Sequence, residues 1–386
     1  MRRSSTAMVI AGFVGITTAW AGDGAYAAQP AVESLVKARA ESLMKQYNIP
    51  GMAVAITDGR QQRFFTYGLA SRATKAPVTA DTLFELGSIS KTFTATLATY
   101  AQANGQLSLS DHPGQYLPTL RDTPLDQVSL ADLGTHSAGG FPLQLPDDIQ
   151  NTAQLMTYFH DWQPTYAPGT QRSYANPSIG LLGMIAATSM KMSFGQAMHD
   201  RLLPGLGLAH TYLNVPTAQL PLYAQGYDKN DQPVRLNPAV LAEEAYGFKS
   251  SARDMLHYLQ AQMGTVALPA KLREALDATQ RGYFKVGGMT QALIWEQYGY
   301  PVALDTLVQG NSTAVALTTQ STSPLQPLDE VWVNKTGSTN GFGGYVAFVP
   351  SRGIGVVLLA NKNYPNEARV RFAHELVQAL DQRLDK

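Results

Sequence analysis

The sequence predicts an α+β fold, an antiparallel sheet flanked by helices plus an inserted helical lobe. Three observations carry this. β-rich runs fall near both ends of the chain, and the short turns between them make neighbouring strands antiparallel. The intervening stretch, from about residue 104 to 192, is mostly helical in pattern with Pro- and Gly-rich connections. The 386 residues are 45 % hydrophobic and 15 % charged, ample for a buried core and unlike a disordered chain.

Taken in order, Arg2 and Arg3 precede an apolar run from Ala7 to Trp20, and Ala25-Tyr26-Ala27 offers a small-x-small cleavage pattern. Residues 1–27 therefore read as a secretory signal peptide cut after Ala27. The alternative is an uncleaved membrane anchor. The run is short for a span of about 20 residues, and Gly12, Gly15, Thr17 and Thr18 interrupt it. No later segment is apolar enough to cross a bilayer, so the mature protein is expected to be soluble, periplasmic and free of the membrane.

Val32, Leu35, Val36, Ala40 and Leu43 recur at helical spacing and predict a helix ending before Pro50. Residues 51–57 and 63–68 read as two strands joined at Asp58-Gly59. A helix starting near Ser88 runs to Ala103 and stops at Asn104-Gly105. Strand signals return only at 330–336, 344–349 and 353–359, and a last helix covers 366–384. The expected division is 28–103 as the first part of an α/β lobe carrying the Ser88 helix, 104–192 as the helical lobe, and 193–386 as the second part of the α/β lobe. A cleft between lobes is a common place for a site.

Composition excludes some functions. Formal net charge is zero and no Lys/Arg block occurs, which argues against nucleic acid. There is no cysteine, hence no disulfide framework and no thiol nucleophile. The seven histidines are scattered without His-x-His spacing, so no metal is implied, and His136 reads as structural.

Three short motifs carry chemistry. In Ser88-Ile89-Ser90-Lys91, helical spacing sets Lys91 one turn above the Ser88 hydroxyl. A serine needs a neighbouring base, and a desolvated lysine near other cations supplies one. The backbone N–H groups at a helix start suit a developing oxyanion. Taken alone, the same four residues also describe a capping serine and a solvated lysine. In Tyr174-Ala175-Asn176, a buried tyrosine beside lysines can act as general base, and Asn176 can orient a lysine and a substrate amide. The competing reading is a turn with a packed aromatic. In Lys335-Thr336-Gly337-Ser338, Gly337 lets a substrate approach the strand edge, the Ser338 N–H completes an oxyanion hole, and Lys335 offers charge to a carboxylate. An ordinary strand end would look similar.

All three motifs in this order form the signature set of penicillin-recognising serine enzymes. Over essentially its whole mature length the chain resembles the class C (AmpC-type) serine β-lactamases. The likeness rests on residues 84–94, on 139–146, on Tyr174-Ala175-Asn176-Pro177-Ser178, on Glu244-Ala245-Tyr246-Gly247, on 335–350 and on 360–370. Tyr174 in place of a serine points to class C rather than class A.

The resemblance implies hydrolysis of the β-lactam amide of cephalosporins and penicillins through a Ser88 acyl-enzyme, conferring β-lactam resistance, by a monomer without cofactor. It implies that Lys91 and Tyr174 exchange the Ser88 proton. Asn176 and Gln144 would bond the substrate's side-chain amide. Lys335, Thr336, Asn363, Asn366 and Arg369 would surround its carboxylate. The Ser88 and Ser338 N–H groups would form the oxyanion hole, Tyr246 would line the acyl side-chain pocket, and Glu296 would lie further out. Asn334 stands where many class C enzymes carry His, and residues 304–328 are less familiar. Two alternatives remain: a DD-carboxypeptidase or esterase on the same fold, and a non-catalytic muropeptide-binding protein.

Overall fold

The computed structural model describes residue 1 and residues 23–59 and 61–384, with side chains from Val32 onward. The expected signal peptide falls mainly on residues 2–22, which lie outside the described residues. No described helix is long and apolar enough to cross a membrane.

The first helix, α1, runs Asp23–Tyr47, and begins earlier than the apolar spacing predicts. Its added turns are rich in alanine, the strongest helix former. Strands β1 (Gly51–Asp58) and β2 (Gln62–Gly68) follow as a hairpin, as expected. Helix α2 (Lys91–Ala103) is preceded by a tight 3₁₀ turn, Gly87–Ser90. Of the helices that follow, Asn176–Ser189 (α3), Ala252–Gln262 (α4) and Ala270–Thr279 (α5) bear on the site and its core. Then come β3 (Phe284–Val286), β4 (Met289–Gln291), β5 (Glu296–Gly299), α6 (Leu304–Gly310), α7 (Thr313–Leu317) and the edge pair β6 (Ser323–Pro324). The chain closes with β7 (Val331–Ser338), β8 (Gly343–Val349), β9 (Ile354–Ala360) and α8 (Asn366–Leu384).

Among the described residues these strands form one nine-stranded sheet, ordered β6-β3-β4-β5-β7-β8-β9-β1-β2. Every pairing in it is antiparallel. The join between the chain's two ends is β1 against β9, in register from Met52↔Ala360 to Asp58↔Ile354.

Side-chain alternation along the strands gives each face its own core. Met52, Val54 and Ile56 face α1 and α8 together with Val356 and Leu358, and meet Phe372 of α8. Ala53 and Ala55 face the other way, into a larger core shared with Phe93 of α2, Leu182 of α3 and Leu259 of α4. That larger core contains α2, and so fixes the start of α2 against the end of β7.

β3 to β5 are strands that the sequence reading did not predict. Their residues Thr290, Gln291, Glu296 and Gln297 are polar yet buried, so no apolar alternation announces them. Hydrogen bonds replace apolar packing there: Arg172 Nε donates to Gln291 Oε1 at 2.6 Å, and Gln297 Nε2 to the Gln280 carbonyl at 2.6 Å.

Candidate active site

Ser88 sits in the 3₁₀ turn rather than in the first α-turn. A 3₁₀ turn has about three residues per turn, so residues three apart eclipse. Lys91 Nζ accordingly lies 3.0 Å from Ser88 Oγ, and it also donates to the Ala245 carbonyl at 2.8 Å. Lys91 is fully buried, whereas Ser88 is partly open to the cleft. Burial lowers the Lys91 pKa; Tyr174 works against this and Lys335 with it, leaving it at about 8.

Tyr174 is ringed by cations. Lys91 Nζ, Lys335 Nζ and the Arg172 guanidinium carbon lie 5.2, 5.1 and 5.5 Å from its ring centre. The His136 ring packs against it at 4.4 Å. Burial would raise the phenol's pKa, but Lys335, Lys91 and the nearby Ser88 hydroxyl outweigh it and bring it down to about 8. The buried hydroxyl lies against Ser88 and Lys91 without a hydrogen bond of full geometry. Such loose contacts are common before substrate arrives. His136 accepts from the Ala175 N–H through Nδ1 at 3.3 Å. Burial and then Arg172, Lys91 and Lys335 drive its pKa well below the usual imidazole value, so it remains neutral.

The end of β7 meets the 3₁₀ turn backbone to backbone. Gly87 has φ +53°, and a Cβ on it would stand 2.4 Å from the Ser338 carbonyl oxygen. A Cβ on Gly337 would stand 2.0 Å from the Leu86 carbonyl oxygen. The bare Cα of Gly337 therefore admits the nucleophile's own turn, a reason for glycine there beside the approach of a substrate along the cleft that Gly337 also lines.

Behind Lys335, which is buried and donates to the Thr336 carbonyl at 3.1 Å, lies a polar network. Asn334 Nδ2 donates to Asn311 Oδ1 at 3.2 Å and to Glu296 Oε2 at 3.4 Å, and its Oδ1 accepts from Trp332 Nε1 at 3.1 Å. Arg172 Nη2 pairs with Glu296 Oε1 at 3.2 Å, and both residues are buried.

A cleft of about 560 Å³ opens over this cluster. Ser88, Tyr174, Lys335, Thr336 and Ser338 line it, as do Gln144, Asn176, Tyr246, Asn363, Asn366 and Glu296. Asn176 Nδ2 donates to Gln144 Oε1 at 2.9 Å, which joins two of the expected residues directly. Helices α6 and α7 supply the far wall through Gly310, Thr313 and Leu317, with Asn311 in the turn between them. Arg369 differs from the rest. It is buried behind the wall, with Nη1 donating to the Gly337 carbonyl at 2.9 Å and Ser338 Oγ at 3.0 Å, and Nη2 donating to Asn363 Oδ1 at 2.6 Å and to the Tyr364 carbonyl.

Sequence reasoning missed Arg172 and Asn311, and gave Glu85 no role. The available signal for Arg172 was its position two residues before Tyr174, an alternation that shares a face in extended chain.

A part-exposed serine with a buried lysine and a cation-ringed tyrosine, beneath two backbone segments held in close contact, defines a serine acyl-transfer hydrolase. The beta-lactamase family model matches residues 36–380. A beta-lactamase of Pseudomonas fluorescens is 51 % identical over 356 residues, covering 91 % of this chain and 99 % of that one. A beta-lactamase/D-alanine carboxypeptidase from Pseudomonas syringae superposes with a TM-score of 0.87 at 57 % identity, covering 90 % of this chain and 99 % of that one. A class C beta-lactamase in complex with cefoxitin superposes with a TM-score of 0.88 at 48 % identity, covering 91 % and 99 %. The chain belongs to the beta-lactamase family.

Proposed function

We propose that Ser88 is the acylated nucleophile of this class C serine β-lactamase, which hydrolyses the β-lactam amide. The observation that carries the reading is the 3.0 Å contact between Lys91 Nζ and Ser88 Oγ beside Tyr174. Ser88 Oγ attacks the lactam carbonyl and gives its proton to the Lys91–Tyr174 pair. The Ser88 and Ser338 N–H groups receive the oxyanion. The C–N bond then breaks, the pair returns the proton to the leaving nitrogen, and an ester on Ser88 remains. Water attacks that ester and restores Ser88. As the acyl C–Oγ bond breaks, the water's proton passes by way of the Tyr174 region or the substrate's freed amine to Ser88 Oγ, since no glutamate stands in a class A-like deacylating context.

Lys335, Thr336, Asn363 and Asn366 bind the substrate carboxylate, Asn176 and Gln144 its side-chain amide, and Tyr246 the acyl side chain. Arg369 serves the carboxylate site by holding Asn363 and the Ser338 hydroxyl. Losing one oxyanion donor typically costs about 10²–10³ in rate, and losing a general base about 10²–10⁴.

The test is intact-protein mass after mixing with a chromogenic cephalosporin, alongside Ser88→Ala, while ring opening is followed by absorbance. Many turnovers in wild type and none in the mutant are expected. A persistent adduct with at most one turnover would move the assignment to a carboxypeptidase, the second activity in the name of the P. syringae neighbour. The same reading has the mature chain exported to the periplasm as a monomer, cut after Ala27. Mass of the protein released by osmotic shock, and its sedimentation, test both points.

A further inference from the structure

Glu85 lies three residues before Ser88, is 1 % exposed and belongs to none of the roles above. Three donors from three different segments converge on its carboxylate. The Tyr223 hydroxyl donates to Oε1 at 2.6 Å, the Leu236 N–H to Oε1 at 2.8 Å, and the Thr339 hydroxyl to Oε2 at 2.7 Å. Donors alone meet it, as an acceptor-only group requires. The buried charge has a counterpart: Lys249 faces Glu85 across the short strand pair, and Glu85 supports the protonated form of that lysine against burial.

The three donors are not scattered. Leu236 and Thr339 both line the cleft, and Thr339 directly follows Ser338. Its hydroxyl also accepts from the Gly341 N–H at 3.4 Å, within the turn from β7 to β8. One side chain therefore ties the segment entering the nucleophile turn to the segment leaving the strand that faces it.

We propose that Glu85 is a positioning residue for the acyl-transfer reaction, clamping Thr339 so that the Ser88 and Ser338 N–H groups stand at a fixed separation over the reacting carbonyl. This rests on the oxyanion-hole assignment made above. Catalysis needs those donors aimed where charge develops, and a shift of about 1 Å in such a group costs on the order of 100-fold. The Thr339–Glu85 bond thus acts on the transition state more than on the bound substrate.

The experiment compares wild type, Glu85→Gln, Thr339→Val and Thr339→Ser for turnover of a chromogenic cephalosporin and for inhibition by phenylboronic acid. That probe bonds through boron to the nucleophilic serine, and its tetrahedral oxygen occupies the oxyanion site. Thr339→Val is expected to lower kcat and boronic-acid affinity together by about tenfold or more, with KM changing less. Thr339→Ser restores most of the loss. In the Glu85→Gln/Thr339→Val double variant the losses do not multiply, because both act through one bond. Thermal unfolding identifies variants that are folded, and Thr339→Val keeps the test available should Glu85→Gln fail to fold. A folded Thr339→Val enzyme with wild-type kcat and boronic-acid affinity overturns the clamp. So does a loss that Thr339→Ser leaves unrepaired. A wild-type enzyme with no adduct on Ser88 overturns the underlying assignment instead.

Discussion

Gly87 and Ser338 lie so close that a single methyl group on the glycine would stand 2.4 Å from the Ser338 carbonyl oxygen. The contact joins the turn that carries the nucleophile to the strand that faces it. Gly87 also has φ +53°, where an L side chain is strained. Gly87→Ala is therefore expected to lose about 1–3 kcal/mol of stability and to lower kcat at least as far as removing one oxyanion donor, about 10² or more. Urea unfolding with steady-state kinetics measures both. Wild-type kcat would show that the contact does not set the site.

The pH dependence follows from the Lys91–Tyr174 pair, whose pKa values both fall at about 8. They titrate together, so the limb belongs to the pair. Below that pH both groups hold their protons and neither can take one from Ser88. The acylation rate should rise with pH and level off above about 8. Lys335 lowers both pKa values, so Lys335→Ala shifts the limb upward. Glu296 raises that of Tyr174, so Glu296→Gln shifts it downward. Stopped-flow acylation across pH tests the opposed signs. Shifts in one direction for both variants would remove the pair as the base.

Asn334 holds Trp332, Asn311 and Glu296 in one buried network. Asn334→Ala strips the Asn311 Oδ1 of its donor and leaves Trp332 with Tyr345 and Glu296 with Arg172 as their remaining partners. A loss of about 1–3 kcal/mol is expected in urea unfolding. A neutral result would mean that the network repacks without it.

Arg369 is fully buried and donates to the carbonyls of Gly337, Gly344 and Tyr364 as well as to Asn363 and Ser338. Burial lowers its pKa to about 10, so it remains a cation at neutral pH. Arg369→Met should lower stability by about 2 kcal/mol or more and both reduce kcat and raise KM, because the end of β7 and Asn363 lose their support. A rise in KM alone, with stability unchanged, would make Arg369 a direct substrate contact.

The parts of this protein that were legible in sequence share a physical property. β1, β8 and β9 are continuous apolar runs buried on both faces, β2 and β7 are rich in β-branched and aromatic residues, and α8 has apolar residues at the helical period. The three motifs place Ser88, Lys91, Tyr174 and Lys335 by local geometry. β3 to β5 were hidden because Gln291, Glu296 and Gln297 are buried by hydrogen bonding rather than by hydrophobicity. Arg172 and Glu85 were hidden for a related reason. Each acts through partners more than a hundred residues away, Glu296 for one and Thr339 for the other, and no local spacing reports such a contact. The second neighbour of Gly337, the Leu86 turn, was hidden because it comes from the other end of the chain.

The pairing of β1 with β9 sets the timing of folding. Met52 meets Ala360 and Asp58 meets Ile354, so the strand made first waits for one made last. Until β9 is synthesised, β1 has β2 on one side and an open row of backbone donors and acceptors on the other. Contacts this distant in sequence make for slow assembly. A nascent chain therefore spends nearly its whole synthesis without the sheet that aligns its nucleophile, and a chain cut short before residue 354 leaves β1 paired with β2 alone.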